Sequence, residues 1–298
     1  MKWERLLTGR RLSGAVDRQD GRTPFERDVD RIIFTGAFRR LADKTQVFPV
    51  PTDDHIHSRL THSLEAASIG RSLGCLAGES LREAGLLPKR ILPSDVGRAV
   101  EAACLAHDIG NPPFGHVGEG AIREFFADHR SAGWFRGLSP AMKADLLAFE
   151  ANAQAFALVC RSERASDAQG LDLSLLTLGA LIKYPCGSLE VDKSKGVHRK
   201  KYGFFARDVA IMRHLAGELG LTHEAGTKSV WARHPMAFVT EAADDIAYRL
   251  LDLEDGLRLG VVPREDFGEV MAALLGRRAP KEIRELAGMP RQHLLRVA

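Results

Sequence analysis

The sequence predicts an all-α protein, and three observations carry that reading. Apolar residues recur at i, i+3, i+4 and i+7 in one stretch after another, the pattern of an amphipathic helix. No stretch alternates apolar and polar residues as a half-buried strand would. The breaks between stretches fall on Pro, Gly and polar clusters, which end helices.

Residues 1–25 are polar and rich in Arg and Gly, and read as a solvated arm. From Phe25, the residues Val29, Ile32, Ile33, Ala37, Phe38 and Leu41 share one face and predict a single helix ending near Lys44-Thr45-Gln46. A short apolar piece, Val47 to Pro51, and a polar loop, Thr52-Asp53-Asp54, follow. The next helix is expected from about Ile56 to Leu76, with His62, Ala66, Ile69 and Leu73 on one stripe. His62 therefore points inward, and Arg59 lies on a neighbouring part of the same face. After a connector from Gly85 to Pro93, Ser94 reads as the N-cap of a helix whose apolar face runs through Val96, Val100, Ala103 and Cys104 to His107. Asp108 follows at once, and Gly110 with Pro112-Pro113 stops the helix.

Beyond the turn, Val117, Ala121, Ile122 and Phe125 continue as a helix with His116 and Glu119 near its start. Further helices are expected over Leu138 to Val159 and Leu173 to Lys183, the latter ending at Tyr184-Pro185. The segment KSKGVHRKKYGFFARD is the densest basic cluster and reads chiefly as a solvated loop, with phosphate binding as the functional alternative. The last informative helix, Ala237 to Leu253, puts Asp244, Tyr248, Leu251 and Asp252 on one stripe. Asp252, Glu254 and Asp255 read as a surface stripe, whereas the alanines around Asp244 predict close helix packing. From Val262 to Ala298, short helical patterns alternate with Pro and Gly.

Composition excludes several classes. With 45% hydrophobic and 27% charged residues over 298 positions, the chain is neither disordered nor short of core. No apolar run approaches the roughly 20 residues that span a bilayer, so no membrane association is expected. The start MKWERLLTGRRL has charge but no apolar signal core, and a cytoplasmic protein is the expectation. Cys75, Cys104, Cys160 and Cys186 are widely spaced and read as reduced packing residues. A net charge of +3 neither demands nor excludes nucleic acid.

Two imidazoles and two carboxylates arriving inward from separate helices form a mixed nitrogen and oxygen site for one divalent cation. Such a donor set suits Mn, Fe, Ni, Co or Zn, and Mg less well. A cation there supports hydrolysis of a phosphate ester by neutralising charge and activating water. Arg59 is placed to meet a phosphate oxygen, Lys183 and Tyr184 can hold others, and His116 with Glu119 offers a proton donor and a carboxylate to orient it.

His62, the pair His107-Asp108 and the distant Asp244 resemble the signature of the HD-domain phosphohydrolases. The blocks RDVDRIIFTGAFRRLADKTQVF, RLTHSLEAA, LAHDIGNPPFGHVGEGAI, FEANAQAF, LIKYP and RHPMAFVTEAADDIAYRLLDLEDG narrow this to the deoxynucleoside triphosphate triphosphohydrolases, the dGTPase-like family, from about Arg27 to Gly256. The resemblance implies an all-helical HD domain over 26–260, preceded by the arm and followed by a short helical region at 261–298. It implies cleavage of a dNTP, dGTP or another, into deoxynucleoside and inorganic triphosphate. His62, His107, Asp108 and Asp244 would be the metal ligands, with Mn the favoured ion. Gln46 and Asp252 would read the 3′-hydroxyl, and Tyr248 would press on carbon 2′. Arg59, Lys183 and Tyr184 would bind phosphates, and His116 would be the general acid, supported by Glu119. Homo-oligomers, often hexamers, and in some members single-stranded DNA binding go with the family; the basic loop at Lys195, Arg199 and Lys200 is where such DNA would be tested.

The family commonly continues with a longer helical C-terminal region than the tail after Gly256, which points to a compact variant or a truncated sequence. Two other readings compete: an HD phosphohydrolase of monophosphates or cyclic nucleotides, and a non-catalytic nucleotide- or DNA-binding HD protein. Gln46, Tyr184, Tyr248 and Asp252 argue against the first, and the presence of His116 and Glu119 argues against the second.

Overall fold

The computed structural model describes residues 1–15, 20–47, 55–161 and 170–275, and among them regular structure is helical, with only isolated β-bridges beside it. The apolar piece at 48–51, the polar loop at 52–54 and the C-terminal stretch 276–298 lie outside the described residues. In chain order the helices are α1 Trp3–Leu6, α2 Pro24–Ile33, α3 Gly36–Arg39, α4 Arg59–Glu83, α5 Pro93–Ala106, α6 Gly115–Asp128 and α7 Gly133–Arg136. They continue as α8 Pro140–Leu147, α9 Ala151–Cys160, α10 Leu175–Leu181, α11 Val209–Leu219, α12 Pro235–Arg258 and α13 Arg264–Leu275.

Helix α5 is the centre. Val96, Ala99, Val100, Ala102, Ala103, Cys104, Leu105 and Ala106 are all buried, so it is apolar around nearly its whole circumference, as a helix enclosed by others must be. Helices α2, α4, α10 and α12 pack around it. Its start is set by Pro93 in the first turn and by the Asp95 carboxylate, which accepts from the Leu92 backbone N–H at 2.8 Å. The cap position is therefore Leu92, and Ser94 lies inside the helix.

The contact between α4 and α5 is made by small residues. A Cβ on Gly70 would lie 2.6 Å from Cys104 Sγ, one on Gly74 2.8 Å from Gly97 Cα, and one on Gly78 2.6 Å from Pro93 Cα. The two backbones approach more closely than any larger side chain allows. The buried stripe of α4 accordingly runs through His62, Ala66, Gly70, Gly74 and Gly78, while Ile69 and Leu73, expected at its centre, are only partly buried.

Four more expectations are corrected. The N-terminal lead is not a solvated arm: Leu6 and Leu7 are in the core, and the buried Arg11 guanidinium pairs with the buried Asp28. The helix expected from Phe25 breaks at Phe34-Thr35, because the Thr35 hydroxyl accepts from the Phe38 N–H and caps α3. The helix expected over Leu138 to Val159 is two, α8 and α9, separated at Ala148–Glu150. Asp255 is also no surface acid. It is buried and accepts from His57 Nδ1 at 2.7 Å, tying the end of α12 to the entry of α4. Glu65 and Asp255 together overcome burial and push the His57 imidazole up to about 9. All four cysteines are free.

The close approach makes a signed prediction. Alanine in an open helical position stabilises relative to glycine by about 0.5–1 kcal/mol, so Gly120→Ala, where nothing lies within 4 Å of the added Cβ, should raise the urea midpoint. Gly74→Ala should lower it, by about 1–3 kcal/mol of overpacking.

Candidate metal centre and pocket

Helix α5 ends by presenting His107 and Asp108 at the edge of the core. The His107 Nδ1–H donates to the Cys104 carbonyl at 2.5 Å, which fixes the ring and leaves Nε2 facing outward from the helix end. Asp108 is held on both oxygens: Arg59 Nη1 donates to one at 2.7 Å, and the Asn111 side-chain amide donates to the other. His62 arrives from the first turns of α4 and stands with its ring centroid 5.4 Å from that of His107. Asp244 arrives from α12, with Oδ1 3.1 Å from His62 Nε2 and 3.4 Å from His107 Nε2.

Donor atoms of His62, His107 and Asp108 all lie within 4.8 Å of one another, a spacing that could hold one metal ion. Asp244, with Oδ1 close to both imidazoles, is a candidate fourth donor. Burial pushes both aspartates toward the neutral acid, yet the imidazoles, joined at Asp108 by the Arg59 guanidinium, outweigh it, and Asp244 is held far below the usual carboxylate range. Burial likewise opposes charge on His107, but Asp108 and Asp244 raise it to about 9. Carboxylates this buried and this ionised need a cation among them. Without a metal, a proton on the His107 imidazole serves, and a divalent ion suits the same donor set better, since neutral imidazole nitrogens and carboxylate oxygens are its natural ligands.

The cluster opens into a cavity of about 560 Å³, within the roughly 300–1,000 Å³ range of small-ligand sites. Gln46, Arg59, His116, Glu119, Lys183, Tyr184 and Tyr248 all line it together with His62, His107, Asp108 and Asp244. Asp252 does not: it sits one turn further along α12 and meets the cavity only through the Tyr248 hydroxyl, which donates to it. Asp245, the alternative to Asp244, lies on the cavity wall and is exposed. Among the described residues, Gln46 Oε1 is buried with no partner, an acceptor free for a ligand. Burial works against the charge of Lys183, but Tyr184, Asp244 and Glu241 around it outweigh that, and Glu241 pairs with it at 3.2 Å.

The turn before α6 is shaped by backbone. Phe114 and Gly115 are both left-handed, at φ 61° and 52°, and a Cβ on Gly115 would lie 2.5 Å from the Arg59 guanidinium. This swings His116 into the cavity wall, where its Nδ1 is 2.7 Å from Glu119 Oε2. Glu119 is buried, and its other oxygen accepts from the Ala151 N–H at 2.8 Å.

Sequence reasoning missed several cavity residues. Asn111, Asn152 and Glu241 carry no spacing signal, and Asn111 is recognisable only once Asp108 is known to need a partner. Lys200 and Lys201 belong to the basic segment read chiefly as a solvated loop, and both reach the cavity. Arg199, grouped with Lys195 and Lys200 as the place to test nucleic-acid binding, is buried and paired with Glu224 at 2.8 Å.

Comparison with known proteins agrees with this geometry. A family model described as "HD domain" matches residues 59–139, the span that contains His62, His107 and Asp108. Residues 59–139 of the chain are thus an HD domain. Over 278 residues, 93% of its length, the chain is 47% identical to a deoxyguanosinetriphosphate triphosphohydrolase-like protein of Pseudomonas aeruginosa strain LESB58, of which it covers 61%. It is 40% identical to the protein of that name in a Synechocystis species, over 88% of this chain and 61% of the relative. A probable deoxyguanosinetriphosphate triphosphohydrolase of Pseudomonas aeruginosa is 37% identical over 87% of this chain and 52% of its own length. The chain thus spans 52–61% of the length of these relatives. No helix among its described residues is long and apolar enough to cross a membrane.

A cation that binds only the folded HD domain stabilises it, by about 2.7 kcal/mol at 100 times its Kd. Titrating Mn into the chelator-treated protein should raise Tm by several degrees. Asp244→Asn, which removes a charge and a donor but little volume, should flatten that response.

Proposed function

We propose that the chain is a metal-dependent phosphohydrolase that cleaves a deoxynucleoside triphosphate into deoxynucleoside and inorganic triphosphate. One observation carries the reading. His62, His107 and Asp108, spaced to hold a metal ion and with Asp244 beside them, line one cavity with a histidine–glutamate pair and the cationic side chains of Arg59, Lys183, Lys200 and Lys201. A cavity with so many cations fits a chain of phosphates better than a single phosphoryl group. The names of the relatives, which specify a deoxyguanosine triphosphate, point the same way.

In this proposal His62, His107, Asp108 and Asp244 hold one divalent ion, Mn being favoured. That ion supplies charge neutralisation at the phosphoryl oxygens and a polarised water. Arg59, fixed by Asp108, and Lys183, Tyr184 and Lys201 bind and orient the phosphates. His116 donates a proton from Nε2 to the departing 5′-oxygen, while Glu119 holds Nδ1–H and so fixes the direction of that donation. At the sugar end, the unpaired Gln46 oxygen accepts from a hydroxyl. Tyr248, braced by Asp252, crowds carbon 2′ and disfavours ribose.

Incubation with each dNTP and Mn, with products resolved by ion-exchange chromatography, tests this. Triphosphate and deoxynucleoside in equal amounts are expected; pyrophosphate or orthophosphate would overturn the reaction type. His116→Ala should lower kcat by roughly 10²–10⁴-fold while nucleotide and metal still bind, and unchanged turnover would remove the general-acid role.

A further inference from the structure

The His116–Glu119 pair is one end of a longer array. His116, Glu119 and Arg123 lie at i, i+3 and i+7 on α6, and this stripe faces the N-terminus of α9. Glu119 has two oxygens. Oε1 is taken by the Ala151 N–H, and Oε2 has two claimants: His116 Nδ1 at 2.7 Å and the Arg123 guanidinium at 3.6 Å.

A guanidinium is the stronger partner for a buried carboxylate, because an ion pair outcompetes a hydrogen bond from imidazole. Arg123 is nonetheless drawn the other way. Its Nη2 is 3.1 Å from Glu150 Oε1, and its Nε and Nη2 donate to the Phe149 carbonyl at 2.8 and 2.6 Å. Glu150 is buried at the cap position of α9, yet its side chain makes no capping bond. Its carboxylate is spent instead on Arg123 and, at 3.0 Å, on the cavity-lining Lys201. A buried acid at a helix start that does not cap the helix needs another use.

We propose that Glu150 is a positioning residue that holds Arg123 away from Glu119 and thereby leaves Glu119 Oε2 to His116. This rests on the general-acid role proposed for His116. With Glu150 neutral, Arg123 has Glu119 as its nearest carboxylate, closes on it, and displaces the imidazole. The same carboxylate anchors Lys201, so the proton donor and a phosphate-binding cation are set by one side chain.

The array predicts a rescue. Glu150→Gln should lower kcat roughly 10-fold or more by releasing His116 from its partner. Glu150→Gln/Arg123→Met, which removes the competitor as well, should recover kcat to within about 3-fold of the parent. Any change in KM from freeing Lys201 should persist in the double variant. A double variant as slow as Glu150→Gln or slower, with both folded by circular dichroism, would overturn the proposal. Imidazole ¹⁵N spectra, with His116 assigned from its loss in His116→Ala, separate this from failure of the proposed activity. Even if no dNTP is turned over, the Nδ1–H signal of His116 should disappear in Glu150→Gln and return in the double variant. A signal unchanged in Glu150→Gln would contradict the positioning role.

Discussion

The close approach of α4 and α5 is the constraint on which the site depends. His62 and His107 come from different helices, and their rings meet edge to face with centroids 5.4 Å apart because Gly70, Gly74, Gly78 and Gly97 let the two backbones nearly touch. A large residue at any of these positions would wedge the helices apart along their length. Glycine costs about 0.5–1 kcal/mol in a helix interior relative to alanine, and α4 accepts that cost several times. The enclosed α5 then needs no large side chains on that face, and its end can carry His107 and Asp108 into a partly buried site. Helix α12 closes the third side with small residues of its own, Ala243 and Ala247, on either side of Asp244 in the sequence.

A second support is the N-terminus of α9. Gly110 fits against Ala151 and Ala155 with no room for a Cβ, so the turn after His107-Asp108 rests on the start of α9. The Ala151 N–H fixes Glu119, and the Phe149 carbonyl and Glu150 fix Arg123. One helix end therefore supports both the turn after His107-Asp108, the pair proposed to bind the metal, and the pair proposed to move the proton. The two halves of the chemistry share a rigid footing, which is what preorganisation requires.

Much of this was legible in the sequence, for physical reasons that also explain the rest. His62 and His107 fall where an apolar stripe should continue, so an inward direction could be read from helical periodicity alone, and Asp244 among alanines implied close packing. The glycine seam was harder to see. Periodicity looks for large apolar residues, and it selected Ile69 and Leu73 over the glycines that actually touch α5. The break at Thr35 and the separation of α8 from α9 depend on local hydrogen bonds that compete with an otherwise continuous apolar face. Leu6, Leu7 and Arg11 were hidden because a buried Arg is invisible until its partner, Asp28, is placed beside it. Arg199 was misread for the same reason, its partner Glu224 being distant in sequence.

The central claim is that His62, His107, Asp108 and Asp244 converge to hold one divalent ion. Crystals grown with Mn and measured on both sides of the manganese absorption edge test it most directly. One anomalous peak per chain is expected, within coordination distance of those four side chains. Manganese bound elsewhere with no peak among them would contradict it.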